Sequence, residues 1–291
     1  MDASIHELCE DDSQYPTLLK SITYAPKLLY YRGTLPSESQ PRIAIVGTRT
    51  MSVYGQRVVE MLIPPLVRAG YATVSGLAYG IDTTVHRVTL EAGGVTHAVL
   101  GCGIDDMSIY PSVNRPLAHA IIDSGGCLLS ELQAGTSPRK QFFPMRNRIV
   151  AGMCKGVLVI EAPEKSGALI TAFMALDENR EVFAVPGPIT HRNTKGTHRL
   201  LQLGAHVVTC AEDIFRVFGD DGTPAKIPSR HNSFSPDEAK IIACLKEDPV
   251  HIDTIIEQTL LDSRTINSTL GIMEMKGIIK NVGQMRYIQT A

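Results

Sequence analysis

The sequence predicts an α/β protein, with a doubly wound, mostly parallel sheet followed by a small C-terminal winged-helix domain. Between residues 42 and 208, short apolar segments alternate with segments whose apolar residues recur at helical spacing. This alternation is typical of right-handed βαβ units in a parallel sheet. A polar stretch with two prolines then precedes a tail with three helical patterns and two short β-like runs. The length of 291 residues is sufficient for both parts.

The predicted strand 42–47 is the segment around which the sheet is arranged. Its continuous, β-branched apolar run is typical of a central parallel strand covered by helices on both faces. Gly47 permits a tight turn into a helix over 52–69, in which Pro64 and Pro65 predict a break or restart. The remaining strands are expected at 71–75, 95–101, 127–130, 156–161, 181–185 and 205–208, and the remaining helices at 81–92, 112–124, 145–154, 168–178 and 195–203.

Changes in composition define four regions. Residues 1–40 form a short leader, too small for a core of its own, which we expect to pack on the sheet domain at 41–219. Residues 220–234 have the polar, proline-containing composition of a linker, and 235–291 have the layout of a winged helix. That last region carries eight acidic residues against six lysines and arginines, so both DNA binding and protein docking remain open for it. Its helices are expected at 236–246, 251–258 and 262–275.

Composition excludes several classes of function. The formal net charge is -2, and no apolar run approaches the roughly 20 residues that cross a bilayer. The first residues also lack the basic and hydrophobic parts of a signal peptide, so we expect a cytoplasmic protein with no membrane partner. The six cysteines form no Cys-x-x-Cys pair, which favours reduced, mostly buried thiols and no metal site. A P-loop and a Gly-x-Gly-x-x-Gly strand are both missing, so we expect no nucleotide cofactor.

One pair of side chains has the spacing of an acid and a base on neighbouring helical turns. Asp82 and His86 are four residues apart in the helix predicted at 81–92. Such a pair is either catalytic or a solvated ion pair on a helix surface. We expect no catalytic residue in this chain.

Several predicted strands end in loops that combine glycine with a hydroxyl group or a cation. Because ligands bind at the carboxyl ends of the strands in an open parallel sheet, these loops predict an anion site. Glycines also serve simply as tight turns, which is the alternative. The loops begin with Gly47-Thr48-Arg49, Ser75-Gly76 and Gly101-Cys102-Gly103, and Ser166-Gly167 opens the helix after the strand at 156–161.

A basic segment free of acids is the second ingredient of the predicted site. Residues 132–160 contain no Asp or Glu but include Arg139, Lys140, Arg146, Arg148 and Lys155. Two phenylalanines, at 142 and 143, lie among these cations. Cations that bind phosphates and rings that stack on bases are the combination that holds single-stranded nucleic acid. The alternative is that the rings belong to the core and the cations to a solvated face.

A series of motifs, taken together, resembles one known family. In order, the chain carries Ile-Val-Gly-Thr-Arg at 45–49, Ser-Gly-Leu-Ala-Tyr-Gly-Ile-Asp at 75–82, Gly-Cys-Gly-Ile-Asp at 101–105 with Tyr110-Pro111, Phe-Pro-Met-Arg-Asn-Arg-Ile-Val-Ala-Gly at 143–152, Glu161-Ala162 with Ser166-Gly167, and Phe-Ala-Val-Pro-Gly at 183–187. From about Tyr15 to Phe218 this series is similar to the DNA processing protein A (DprA/Smf) family. The resemblance implies an extended Rossmann-like domain that binds single-stranded DNA and forms a homodimer. It further implies that the protein protects incoming DNA and loads the RecA recombinase in natural transformation and DNA recombination, without catalysis.

The resemblance also assigns residues. The family's phosphate-contacting loop is Gly47, Thr48 and Arg49 here, and its cation and aromatic ring correspond to Lys140 and Phe143. For the Arg-Asn-Arg motif we expect one arginine in the pocket and the asparagine tying the loop. The full expected DNA-binding set is Gly47, Thr48, Arg49, Ser75, Gly76, Lys140, Phe143, Arg146, Asn147, Arg148, Ser166 and Gly167. The dimer and RecA surfaces of the family correspond to about 196–218. The leader is shorter than the N-terminal helical domain that many members carry.

A second hypothesis is a nucleotide-processing enzyme of a related Rossmann-like family. The Pro-Gly-Gly-x-Gly-Thr motif of those enzymes is missing from the sequence, and Pro186-Gly187-Pro188 is the nearest string. The binding hypothesis therefore has the stronger support in the sequence.

Overall fold

The computed structural model describes residues 4–220, 222, 235–245, 249–259, 261–275, 279–283 and 285–289. The chain divides into two compact units, Met1–Ile227 and Pro228–Ala291. Apart from Asp220 and Gly222, the linker expected at 220–234 lies outside the described residues. Within the residues that are described, no helix has both the length and the apolar composition needed to span a bilayer.

Strands and helices alternate along the first unit, as predicted. Its strands are β1 (His6–Cys9), β2 (Leu28–Gly33), β3 (Arg42–Val46), β4 (Ala72–Ser75), β5 (Thr96–Val99), β6 (Cys127–Ser130), β7 (Gly156–Val159), β8 (Glu181–Ala184) and β9 (His206–Val207). Its helices are α1 (Thr17–Lys20), α2 (Val53–Arg68), α3 (Ile81–Glu91), α4 (Arg115–Asp123), α5 (Phe142–Gly152), α6 (Gly167–Asp177), α7 (Lys195–Gln202) and α8 (Ala211–Phe218), with short 3₁₀ turns at Ser112–Asn114 and Arg192–Thr194.

The nine strands form one sheet in the order β1-β2-β6-β5-β4-β3-β7-β8-β9. From β6 to β9 the neighbouring strands are parallel, whereas β1 and β2 are antiparallel to each other and β2 is antiparallel to β6. The order reverses between β3 and β7, since the chain proceeds from β3 to one side of the sheet and from β7 to the other. The predicted mostly parallel, doubly wound sheet is therefore confirmed, and its crevice lies beside β3.

Strand β3 is buried on both faces. Ile43 and Ile45 pack with the apolar residues of α2, α3 and α8 on one face, and Ala44 and Val46 pack with those of α5 and α6 on the other. All four side chains are buried. Because successive side chains of a strand point to opposite faces of the sheet, β3 contributes to the core on each face. This arrangement explains why the segment is apolar without a polar face.

The break expected at Pro64 and Pro65 is wrong, because α2 runs without interruption from Val53 to Arg68. Each proline removes a hydrogen bond to the carbonyl four residues earlier, which belongs to Glu60 or Met61. Those two residues are exposed, so water can reach the carbonyl groups that lose their donors. On its other face, α2 buries Leu62, Ile63, Leu66 and Val67 in the core. Burial of this face stabilises the helix across the two prolines.

Two parts of the first unit were not predicted as elements. The leader contributes β1 and β2 to the sheet, and it also buries Leu19 and Leu29 against the helices of one face. Helix α8 buries Ile214 and Phe215 and begins after a cap in which Asp213 accepts the backbone N–H of Cys210. Both parts are short, so they contain too few apolar repeats for a period to be recognised.

The second unit is the predicted winged helix. It consists of α9 (Pro236–Cys244), β10 (Val250–His251), α10 (Ile252–Thr259), α11 (Ser263–Met275), β11 (Ile279–Gly283) and β12 (Arg286–Gln289), with β12 lying between β10 and β11 in an antiparallel sheet. Helix α9 starts in the expected capping box, in which Ser235 and Glu238 bond to each other's backbone N–H. Its core contains Ile241, Ile255, Ile266, Leu270 and Met273.

Candidate nucleic-acid interface

A cavity of about 710 Å³ opens at the carboxyl ends of β3, β4 and β7, beside the point where the strand order reverses. Parallel sheets bind ligands at this position. Ten of the expected DNA-binding residues line it, namely Gly47, Thr48, Arg49, Gly76, Lys140, Phe143, Arg146, Asn147, Ser166 and Gly167. The fold therefore brings together four segments that are separated by up to about 120 residues in the sequence.

The loop after β3 is held by backbone and carboxylate contacts. The backbone N–H of Thr48 donates to the carbonyl of Glu161 at 2.8 Å, and the Thr48 carbonyl accepts the N–H of Ile81 at 3.2 Å. The buried carboxylate of Glu161 accepts the N–H of Ser52 at 3.0 Å and its hydroxyl at 2.5 Å. These contacts fix the backbone on both sides of Arg49, whose side chain remains exposed.

Arg146 lies at the bottom of the cavity and is only 7 % exposed. One guanidinium nitrogen donates to the carbonyl of Val99, and the guanidinium lies directly over Gly76, where a methyl group would overlap with it. The Nε atom is buried and has no hydrogen-bond partner within the part of the chain that is described. A buried donor without a partner costs on the order of 1–3 kcal/mol, so Nε adds to the cost of burying this guanidinium.

Asp82 is the buried acid beside this arginine. Its carboxylate accepts the N–H of Gly76 at 3.1 Å and that of Ala78 at 3.4 Å, and so it holds the loop after β4. Burial raises the pKa of the Asp82 carboxyl, and the Arg146 guanidinium opposes that shift. Burial likewise lowers the pKa of Arg146, and Asp82 opposes that shift. The two groups therefore favour each other's charged form, although both side chains are buried.

Phe143 and two cations form the rim of the cavity. The guanidinium carbon of Arg49 lies 5.1 Å from the centroid of the Phe143 ring, which is a cation–π distance. Lys140 also lines the cavity and is exposed. Neighbouring Arg139 does not line it, and its guanidinium lies 6.0 Å from the ring of Phe142 instead. Lys165 and Tyr110 line the cavity as well, so a ligand meets three exposed cations and two aromatic rings there.

Asn147 ties two helices together, as expected for the middle residue of the Arg-Asn-Arg motif. Its side-chain amide donates to the carbonyl of Gly167 at 3.3 Å and so joins α5 to the first turn of α6. Ser166 caps that helix, since its hydroxyl accepts the N–H of Ala168 at 3.2 Å.

Two of the expected site residues lie outside the cavity lining. The hydroxyl of Ser75 is buried and donates to the carbonyl of Ile45 at 2.7 Å. Arg148 forms an ion pair with Glu131 at 2.7 Å and donates to the carbonyl of Tyr24 at 2.9 Å, so its guanidinium holds the leader. Of the two motif arginines, it is Arg146 that lies in the cavity.

Comparison with known proteins identifies the family. The model of the family described as DNA recombination-mediator protein A matches residues 6–219. The chain belongs to this family. A second model, the DprA winged helix domain, matches residues 223–283.

Curated members of the DprA/Smf family are similar over most of the chain. DNA processing protein DprA of Streptococcus pneumoniae is 44% identical over 207 residues, which cover 71% of this chain and 72% of that protein. Protein Smf of Synechocystis is 36% identical over 317 aligned residues, which cover 96% of this chain and 79% of that protein.

Two solved DprA structures have the same fold as this chain. The S. pneumoniae DprA structure has a TM-score of 0.69 at 42% identity and covers 73% of this chain and 74% of its own. A Helicobacter pylori DprA structure, described as giving insight into a single-stranded DNA binding mode, has a TM-score of 0.65 at 26% identity and covers 75% and 96%.

In this DprA-family chain, the interpretation of Asp82 and His86 as a solvated pair is wrong. Both side chains are buried, and they have separate partners: Asp82 bonds to backbone N–H groups, while Nδ1 of His86 lies 2.7 Å from the hydroxyl of Thr96. Burial lowers the pKa of His86 to about 3, so its ring is neutral. Helix α3 presents this part of its surface to the core, which the spacing of two residues does not reveal.

Two residues that organise the site have no role predicted from the sequence. Glu161 positions the loop after β3 through Ser52, and Tyr110 lines the cavity next to Phe143. The sequence did contain a signal for Glu161, because this acid directly follows an apolar strand, and a buried carboxylate needs hydrogen-bond partners. Within the described residues, no group of three His, Cys, Asp or Glu side chains is placed to hold a metal ion.

Proposed function

We propose that this chain binds single-stranded DNA in the cavity beside β3 and acts without catalysis. The observation that carries the proposal is the convergence of Arg49, Lys140 and Arg146 on one cavity that also contains Phe143. A phosphate at the rim would lie between Arg49 and Lys140, and a base would stack on the ring of Phe143. The positive charge of Arg146 would attract the anionic ligand toward the bottom of the cavity.

We further propose the wider role that accompanies this activity in the family. The chain would act in the cytoplasm as a homodimer that protects incoming DNA. It would load the RecA recombinase during natural transformation and DNA recombination. Support comes from membership of the DNA recombination-mediator protein A family and from the matching DprA winged helix. The dimer and RecA surfaces are proposed at 196–218, which comprise α7, β9 and α8.

The alternative, a nucleotide-processing enzyme, has less support in the geometry. A cavity of about 710 Å³ would admit a nucleotide. However, the acid that lines it, Asp82, is buried and already accepts two backbone N–H groups, which leaves it poorly placed to activate water. Release of free base or phosphate from nucleoside monophosphates by the purified chain would support the enzyme instead.

A salt titration with charge-reversal variants tests the proposal. Binding of a labelled single-stranded oligonucleotide, measured by fluorescence anisotropy, should weaken with salt with a logarithmic slope of roughly -0.7 for each phosphate neutralised. Arg49→Glu and Lys140→Glu should each remove most of the affinity. Arg139→Glu is the matched control, because this neighbouring exposed cation does not line the cavity. Binding by both cavity variants at the wild-type level would contradict the proposal.

A further inference from the structure

Two exposed tyrosines extend the aromatic surface of the cavity beyond Phe143. The ring centroid of Tyr110 lies 6.0 Å from that of Phe143, and the ring of Tyr79 meets Tyr110 edge-on at 6.4 Å. Tyr110 lines the cavity, and the rings are 40 % and 45 % exposed for Tyr110 and Tyr79. The side chains therefore form a continuous series of contacts, from Arg49 through Phe143 and Tyr110 to Tyr79. Only Arg49 and Phe143 have a role in the proposed binding of DNA.

Hydrogen bonds fix the loops that carry the two tyrosines. The side-chain amide of Asn114 donates to the carbonyl of Leu77 at 2.9 Å and to the hydroxyl of Thr83 at 2.8 Å, and so it ties the segment after Tyr110 to the loop that carries Tyr79. Gly80, the neighbour of Tyr79, lies so close to the backbone of the Arg49 loop that a methyl group there would overlap with it. The loops that carry the rings are therefore held in place before any ligand arrives, which lowers the entropy lost on binding.

We propose that Tyr79 and Tyr110 are a base-stacking site for the nucleotides that follow the phosphate bound at Arg49. This inference rests on the proposed function and extends it from phosphate binding to a path for several bases. Exposed, preorganised rings adjacent to a cationic cavity match the chemistry of single-stranded nucleic acid, because every base offers a flat face whatever its sequence. If the rings served only to pack on each other, removing either of them would not weaken the binding of DNA.

The first test compares a strand with bases and a strand without them. Tyr79→Ala and Tyr110→Ala should each weaken the binding of oligothymidylate about tenfold, which is the loss expected from removing one stacked base. Binding of an abasic oligonucleotide of the same length should not change, because its phosphates still meet Arg49 and Lys140. Tyr79→Phe should retain the affinity. Tyr24→Ala is the control, because this exposed tyrosine belongs to the leader and not to the series of rings beside Phe143.

The outcomes separate this inference from the proposed function. If wild-type protein binds neither oligonucleotide, both are overturned. If wild-type protein binds and Arg49→Glu does not, but both alanine variants bind oligothymidylate like wild type, the stacking site alone is overturned. The stacking site is also overturned if the alanine variants lose as much affinity for the abasic strand as for oligothymidylate.

A fluorescence experiment gives a second, independent readout. The sequence contains no tryptophan, so a single tryptophan at position 79 would be the sole source of indole emission. Emission of Tyr79→Trp should be quenched when oligothymidylate stacks on the ring and should change far less with the abasic strand. Emission of Tyr24→Trp should stay constant with both. Absence of quenching at position 79 under conditions in which anisotropy shows binding would overturn the stacking site.

Discussion

The guanidinium of Arg146 lies against the α-carbon of Gly76, with no room for a side chain between them. This contact joins α5 to the loop after β4, and it holds the guanidinium at the bottom of the cavity. Asp82 completes the arrangement, since it binds the N–H of Gly76 and favours the charged form of the arginine. The position of the deepest cation therefore depends on a residue that carries no charge.

Gly76→Ala tests this dependence. The added methyl overlaps with Arg146 and must displace it, so we expect a loss of about 1–3 kcal/mol in the free energy of unfolding, as in other overpacked sites. Single-strand affinity should fall about tenfold or more as the cation moves, which anisotropy would measure. Gly167→Ala is the control for stability, because a methyl there meets no atom within 4 Å. Equal stability of the two variants would contradict the tight contact.

Glu161→Gln tests the support of the Arg49 loop. The carboxylate accepts two hydrogen bonds from Ser52, whereas a glutamine offers one acceptor and places an NH₂ group toward a second donor. We expect a loss of about 1–3 kcal/mol in the free energy of unfolding, measured with urea, because Glu161 is buried. Single-strand affinity should also fall, since the loop becomes less ordered. Glu164→Gln, at an exposed position on the same loop, should change neither quantity.

Arg148→Ala should separate a structural arginine from a DNA-binding one. Loss of the contacts with Glu131 and Tyr24 should lower the free energy of unfolding by about 1–2 kcal/mol, because the pair is mostly buried. Single-strand affinity should stay within about twofold of wild type, since the side chain does not line the cavity. Arg68→Ala removes an exposed arginine and serves as the stability control. A large loss of affinity without a loss of stability would return Arg148 to the DNA-binding set.

Stability should decrease in acid because of two buried histidines. Burial lowers the pKa values of His86 and His97 to about 3, whereas the unfolded chain has values near 6.5. Between those values the unfolded state binds more protons, so stability is complete above about pH 6.5 and is lost as the pH falls toward 3. For each of the two histidines, we expect the free energy of unfolding to be about 1.5–2 kcal/mol lower at pH 5 than at pH 7.

Urea denaturation at the two pH values measures this loss. His86→Gln should keep a hydrogen bond to Thr96 and remove one titrating group, so its stability should depend less steeply on pH than that of wild type. His119→Gln, at a partly exposed position beside Asp106, is the control. An unchanged pH dependence in His86→Gln would contradict the neutral, buried state of this ring.

Much of the fold was predictable because each strand of the parallel sheet carries its own signal. Residues 42–47 are apolar throughout, and their structure as β3 follows from burial on both faces. The leader strands β1 and β2 were missed because β2 joins the sheet through β6, a partner about a hundred residues away, and β1 joins it only through β2. The continuity of α2 through Pro64 and Pro65 likewise depends on packing that no local pattern contains.

The sequence by itself determined the type of fold, the winged helix and the loops from which the cavity is made, because periodicity, glycine turns and charge are local properties. Only the tertiary structure decided which arginine of the Arg-Asn-Arg motif lies in the cavity and which lies outside it. Arg146 and Arg148 are two residues apart on α5, so the helical repeat of 3.6 residues directs them to different sides: one points into the cavity, and the other toward the leader. The same packing placed Asp82 and His86 in the core and joined Tyr79 and Tyr110 to Phe143. A contact between distant segments is set by the mutual burial of their elements, and a motif read along the chain does not contain it.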